Sequence, residues 1–276
     1  MKLSYNLLKN FKNLIYKIFY SKLKKIERFK NLHQGEKCLI FGDGASIKWV
    51  DLKKFSNYIS ITVGYIPFHN NFQYLNCKYC LFSEPFWFAP FEIIKKGRNK
   101  LIFNSAQKKY REIIRKNKNI KFFLNLSNIF FLNRKNIFFL FKNIPNSNIV
   151  NEFYKAGINP FHGSFRTSIL LSIYLGFNEA TLVGFDYTHT PSRFLHWYEV
   201  GEGLLLDEKN YEIEFLKIAS KFIKLKTLTI NGGYSNKMDY ISYETYTGSK
   251  EKYKENFEII DMQYLNALKK WPNYKI

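Results

Sequence analysis

The first recurrent pattern along the chain is an apolar stripe. Leu7, Leu8, Phe11, Leu14, Ile15, Ile18 and Phe19 fall at helical spacing, while Lys9, Lys12, Lys17 and Lys22 lie largely off it. The spacing predicts a basic amphipathic helix over residues 1–30, an appendage to the domain formed by residues 31–276. From Gly35 the period changes. Short apolar runs at 38–41, 59–63, 79–82, 101–103 and 120–124 read as strands, with helical stretches at 51–55 and 108–118. Residues 127–151, rich in Phe, Asn and Lys, show no period and are expected to form a mobile or acceptor-facing insertion. Residues 164–175 read as a buried helix with Ser164 as N-cap and Gly176 as C-cap. A strand at 180–183, a charged helix from about Glu208 to Lys224 and a strand at 227–230 follow; beyond Tyr240 a peripheral helical tail is expected. Apolar runs alternating with helices indicate one α/β domain with a mostly parallel sheet.

Composition sharpens this picture. The chain has 276 residues, enough for one domain with a sizeable core, and 46% hydrophobic residues argue against disorder. No run approaches the roughly 18 apolar residues of a membrane span, and the start lacks a signal peptide's apolar core and cleavage site. Cys38, Cys77 and Cys80 form a sparse, odd set that fits a reducing cytoplasm. Lys and Arg number 43 against 22 acids, a net charge of +21. Lys, Asn, Ile, Phe and Tyr all have AT-rich codons, so genome bias accounts for part of that excess. Nine of the basic residues and one acid, Glu27, lie in residues 1–30, a local net of +8. That arrangement suits an anionic membrane surface, although docking on the chain's own domain or on another subunit would use the same stripe. The expected location is the cytoplasm, peripheral on the inner face of the cytoplasmic membrane.

Three segments could carry chemistry. Gly42-Asp43-Gly44-Ala45-Ser46 is a glycine-rich turn at a strand's carboxyl end, where open α/β sheets bind ligands. It is neither G-x-G-x-x-G nor a P-loop. His162-Gly163-Ser164 opens the buried helix, whose first-turn N–H groups could meet an anion or simply be capped. Third, Gly184-Phe185-Asp186-Tyr187 leads into a loop holding His189 and His196. A near-neutral histidine is the usual general base for a sugar hydroxyl, although loop histidines often only pack or face solvent. Their spacing does not fit a metal set, and the Cys77/Cys80 pair lacks a second half. No D-x-D or G-x-S-x-G motif occurs.

In order, residues 29–46 and 162–187 resemble the two signature blocks of bacterial surface-glycan transferases. These are similar to the sialyltransferases of glycosyltransferase family 42 and the related motility-associated-factor superfamily. The resemblance spans about residues 31–233. It implies a single modified Rossmann-like (GT-A-like) domain, no metal and no cofactor. It also implies a CMP-activated nonulosonic sugar as donor, with a hydroxyl of a lipooligosaccharide, O-antigen or capsule glycan as acceptor. By position, Gly42, Asp43, Gly44, Ser46 and Glu84 would face the nucleotide, and His162, Gly163 and Ser164 its phosphate or ribose. Asp186 and Tyr187 would flank both, and residues 188–207 would form a lid. His196 would be the base, with His189 competing for the role. Where the family carries Asn, this chain has Asp43, Gly64 and Glu84, and a family Arg is replaced by Phe161. A homo-oligomer is possible under this resemblance. Two other functions are alternatives: a nucleic-acid binder using the basic, aromatic-rich surface, and a pterin diphosphokinase-like member of the same superfamily. Neither has its motif here, and no nucleic-acid partner is expected.

Overall fold

The structure, a computed structural model, describes residues 2–90, 100–141, 163–206, 212–269 and 276. Its centre is an eight-stranded sheet in which every pairing is parallel. The strands are β1 (Lys37–Phe41), β2 (Ile59–Val63), β3 (Asn76–Phe82), β4 (Lys121–Asn125), β5 (Ile137–Leu140), β6 (Glu179–Val183), β9 (Lys224–Thr229) and β10 (Asp239–Ser242). They lie in the order β10-β9-β6-β1-β2-β3-β4-β5. β7 (Ser192–Phe194) and β8 (Leu204–Leu206) pair separately as an antiparallel ribbon. The central strands are nearly continuous apolar runs because both faces are covered. The chain builds outward from β1 to β5, then returns to lay β6 on β1's other side. That reversal opens a crevice at the carboxyl ends of β1 and β6.

The helix α3 (Gly163–Leu175) is buried along almost its whole length, which its SFRTSILLSIYL sequence permits. Ser168 and Ser172 return their hydroxyls to the carbonyls of Phe165 and Ile169, at 2.8 and 2.7 Å, so neither leaves an unmet polar group. Ser164 sits inside the first turn, because the helix already starts at Gly163. At the other end Gly176 takes φ +91°, with Phe177 N donating to Ser172 O and Gly176 N to Ile173 O. This is a Schellman stop. Asn31 and His33 then bond the free carbonyls of Tyr174 and Leu175, tying the start of the domain to the helix end.

α1 (Lys2–Leu23) runs on into a 3₁₀ turn, Lys24–Phe29. Ile15, Tyr16 and Phe19 pack on the core, and Leu23, Ile26 and Phe29 belong to it. Phe29 stands edge-on to Phe138 and Phe123 at 4.7 and 5.8 Å.

Several elements differ from the sequence expectation. Residues 101–103, read as a strand, lie within α2 (Lys100–Lys116), whose buried Ala106, Tyr110, Ile113 and Ile114 keep helical spacing. The aperiodic stretch 127–151 contains β5, a fully buried IFFL run without alternation for a period to reveal; residues 142–151 lie outside the described set. The helix expected from Glu208 to Lys224 is, among described residues, the short α4 (Ile213–Ala219), and Lys224 already begins β9. The tail is not peripheral. β10 is a sheet strand, and α5 (Tyr243–Thr247), α6 (Asn256–Ile259) and α7 (Met262–Leu268) bury Tyr243, Ile259, Leu265 and Leu268.

Candidate active site

A cleft of about 740 Å³ opens at the carboxyl ends of β1, β2, β3 and β6. Asp43, Gly44, Glu84, Gly163, Ser164, Asp186, Tyr187 and His196 all line it. The sequence places these eight in four distant segments; the parallel register brings them together. Gly42 and Ser46 lie behind the wall, and His162 is outside the described residues.

The glycines are needed where two loops meet. Gly42 N donates to Val183 O at 2.7 Å and Gly44 N to Gly184 O at 2.8 Å. A Cβ on Gly42 would approach Gly184 O to 2.6 Å, and one on Gly44 would approach Asp186 Oδ1 to 2.5 Å. Ser46 donates to Asp186 through both its backbone N–H (3.0 Å) and its hydroxyl. Burial pushes the Asp186 carboxyl up, against the pull of His189 and these Ser46 bonds.

Asp43 is held as firmly. Its carboxylate accepts from Tyr65 N at 3.0–3.1 Å and from Trp197 Nε1 at 3.1 Å, while Trp197 N donates to Asp43 O. The side chain fills the space that a residue larger than glycine would need at position 64. Gly64 has φ +54°, and a Cβ there would fall 1.7 Å from Asp43 Oδ2. Burial raises the Asp43 carboxyl to about 6, although His196, Tyr65 and Trp197 all favour its charge. A raised acid takes up protons on folding between its unfolded and folded pKa. Its contribution to stability therefore falls as pH rises from about 4 to 6. Asp43→Asn is expected to flatten this part of the stability profile in urea unfolding at stepped pH; an unchanged slope would contradict it.

His196 stands at the cleft with its side chain 46% exposed, stacked on Tyr198 at 5.0 Å and 8°. Its Nδ1 lies 2.7 Å from Oε2 of Glu199, a carboxylate only 4% exposed, which also accepts from His196 N at 2.8 Å. A carboxylate at Nδ1 fixes the proton there and leaves Nε2 as the basic nitrogen of the neutral ring. Burial disfavours the imidazolium, but the Glu199 bond and the Asp43 charge outweigh it and hold the pKa above 6.5. His196 also bridges backbone to backbone with Gly44, so its loop adds a rung to the glycine turn.

The loop is clamped from behind. Lys48, 1% exposed, donates from Nζ to the carbonyls of Glu199 and Gly201 and lies 3.6 Å from Glu255. Asn256 Nδ2 donates to Tyr198 O at 2.9 Å. The carboxyl-terminal segment thus braces the dyad. His189, by contrast, is buried behind Asp186 with Nε2 3.8 Å from Oδ1, and burial pulls its pKa down. Glu84 lines the cleft at the end of β3, where partial desolvation pushes its carboxyl up. Arg166, one turn into α3, pairs with Glu212. Among the described residues no three His, Cys, Asp or Glu side chains converge as a metal-ligand set.

The structure is similar, over most of its length, to bacterial sialyltransferases. The sialyltransferase CstII from Campylobacter jejuni, solved in complex with cytidine-5'-monophosphate, matches 86% of this chain and 98% of its own at 18% identity and TM-score 0.42. CST-II with a trisaccharide acceptor and CMP matches 85% and 99% at 16% identity and TM-score 0.39. The monofunctional alpha-2,3-sialyltransferase Cst-I from Campylobacter jejuni matches 85% and 94% at 15% identity and TM-score 0.39. No family model matches the sequence, and no curated protein does.

Sequence reasoning missed Glu199, Trp197, Lys48 and the brace from Glu255 and Asn256. Glu199 carries a local signal, since an acid three residues after a histidine can reach its ring within one turn. The other partners lie more than fifty positions from what they contact, and no local spacing announces them.

Proposed function

We propose that the chain is a glycosyltransferase that moves a CMP-linked nonulosonic sugar to a hydroxyl of a surface glycan, with His196 as general base. The observation that carries this reading is the His196–Glu199 pair, a half-exposed imidazole oriented by a buried carboxylate at a ligand-sized cleft. The donor class comes from the motif resemblance of residues 29–46 and 162–187. In the reaction the acceptor oxygen forms a bond to the anomeric carbon as the bond from that carbon to the phosphate oxygen breaks. The acceptor proton passes to His196 Nε2, and CMP leaves with the negative charge. The amino-terminal end of α3, with Gly163 and Ser164 on the cleft wall, and the nearby Tyr187 suit that charge. Glu199 stabilises the imidazolium as it forms. His189 is the weaker base on geometry, because its ring is buried away from the cleft.

The test is direct. The full chain is incubated with CMP-sialic, CMP-legionaminic and CMP-pseudaminic acids, and with UDP- and GDP-sugars, and nucleotide release is followed. Release of CMP from one of the first three is the expected result. Absence of turnover and hydrolysis with every nucleotide-sugar would overturn the reading.

A further inference from the structure

The packing of α1 divides its apolar residues into two stripes. Ile15, Tyr16, Phe19 and Leu23 are spent on the chain's own core. Phe11, Leu14 and Ile18, spaced three and four apart, form a second stripe that the domain does not cover, being 58%, 54% and 63% exposed. Lys17 lies three positions from Leu14, and Lys22 four from Ile18, so lysines flank the free stripe; Lys25 continues the basic edge. Docking on the domain and contact with something else are therefore not alternatives for this helix. It does the first with one face and leaves the second for a partner.

We propose that the Phe11–Leu14–Ile18 stripe seats the protein on an anionic lipid surface, helix lying in the interface. Charge argues for lipid over a second copy of this chain. The first thirty residues carry nine Lys/Arg and one acid, so two such helices brought face to face repel, whereas anionic headgroups attract each lysine. No helix among the described residues is long and apolar enough to cross a membrane, which leaves surface attachment. The fold also sets the course of the helix. Phe19 meets Phe130, just past the carboxyl end of β4, and by Phe29 the chain lies against Phe123 and Phe138 within the strands. The helix thus descends from the sheet's carboxyl end, the end on which the cleft opens. The exposed Phe194, Leu204 and Leu205 of the β7–β8 ribbon lie at that end too.

The full chain is sedimented with vesicles of phosphatidylcholine, alone or mixed with phosphatidylglycerol, without donor or acceptor, so the result does not depend on the enzymatic reading. Binding to the mixed vesicles only, weakening with salt, is expected. Phe11→Ser/Leu14→Ser/Ile18→Ser is expected to weaken it at least about tenfold. Lys17→Gln/Lys22→Gln/Lys25→Gln, which leaves all apolar packing intact, is expected to weaken it roughly a hundredfold. Equal binding to both vesicle types, or binding unchanged by the lysine variant, would overturn the proposal. So would a lipid-free dimer, seen by analytical ultracentrifugation, that the serine variant dissolves, since the stripe would then seat a second copy.

Discussion

Turnover of CMP-linked donor by His196→Ala is expected to fall by about 10²–10⁴-fold, with KM for the donor little changed. The reason is geometric. Nδ1 is committed to Glu199, so only Nε2 can accept the proton, and among the described residues no other histidine or carboxylate lining the cleft combines partial exposure with a dedicated orienting carboxylate. Glu199→Gln separates orientation from charge. Gln can still accept from Nδ1–H but supplies no negative charge, so His196 should lose most of its upward pKa shift. A base works deprotonated. The wild-type rate should therefore rise with pH through a His196 pKa above 6.5, and in Glu199→Gln that limb should move to lower pH while the plateau drops. A pH–rate profile whose limb is identical in the two proteins would remove Glu199 from the mechanism. Loss of activity in His189→Ala with His196→Ala unaffected would transfer the role.

Gly64→Ala is expected to cost about 2–5 kcal/mol of stability, combining overpacking with a left-handed backbone at φ +54°. The new Cβ would fall on Asp43 Oδ2, which cannot swing aside without breaking its bonds from Tyr65 N and Trp197 Nε1. A double-mutant cycle isolates the contact. In an Asp43→Ala background the collision is gone, so Gly64→Ala should then cost only the backbone strain, about 1–2 kcal/mol. Urea unfolding of the four proteins measures this. Strict additivity would show that Asp43 and Gly64 do not share the space.

The same pair shows why the site was only half legible in the sequence. Asp43 and Gly64 looked like two separate departures from the family pattern, each a lost Asn. In the fold they are one feature, since the carboxylate occupies the volume that a side chain at 64 would fill. The glycine turn likewise read as an approach for phosphate, yet Gly42 and Gly44 are required first by the close passage of the β6 loop. Local identity said that small residues were needed; it could not say against what. The burial of the tail leaves no local trace for a related reason. Tyr243, Ile259, Leu265 and Leu268 are scattered among polar residues in short elements, and their burial depends on surfaces set up two hundred positions earlier.

By itself the sequence determined the α/β class, the parallel core strands, the buried helix with its Gly176 stop and the segments that line the cleft. Those are properties of period, capping and glycine placement, which act over a few residues and leave a local trace. Only the tertiary structure decided that His196 answers to Glu199 within a loop braced by Lys48, that Asp43 and Asp186 are held by their neighbours, and that α1 docks with one stripe while exposing another. Each of those depends on which distant backbone arrives alongside. Strand order and packing settle that, and no window of neighbouring residues contains it.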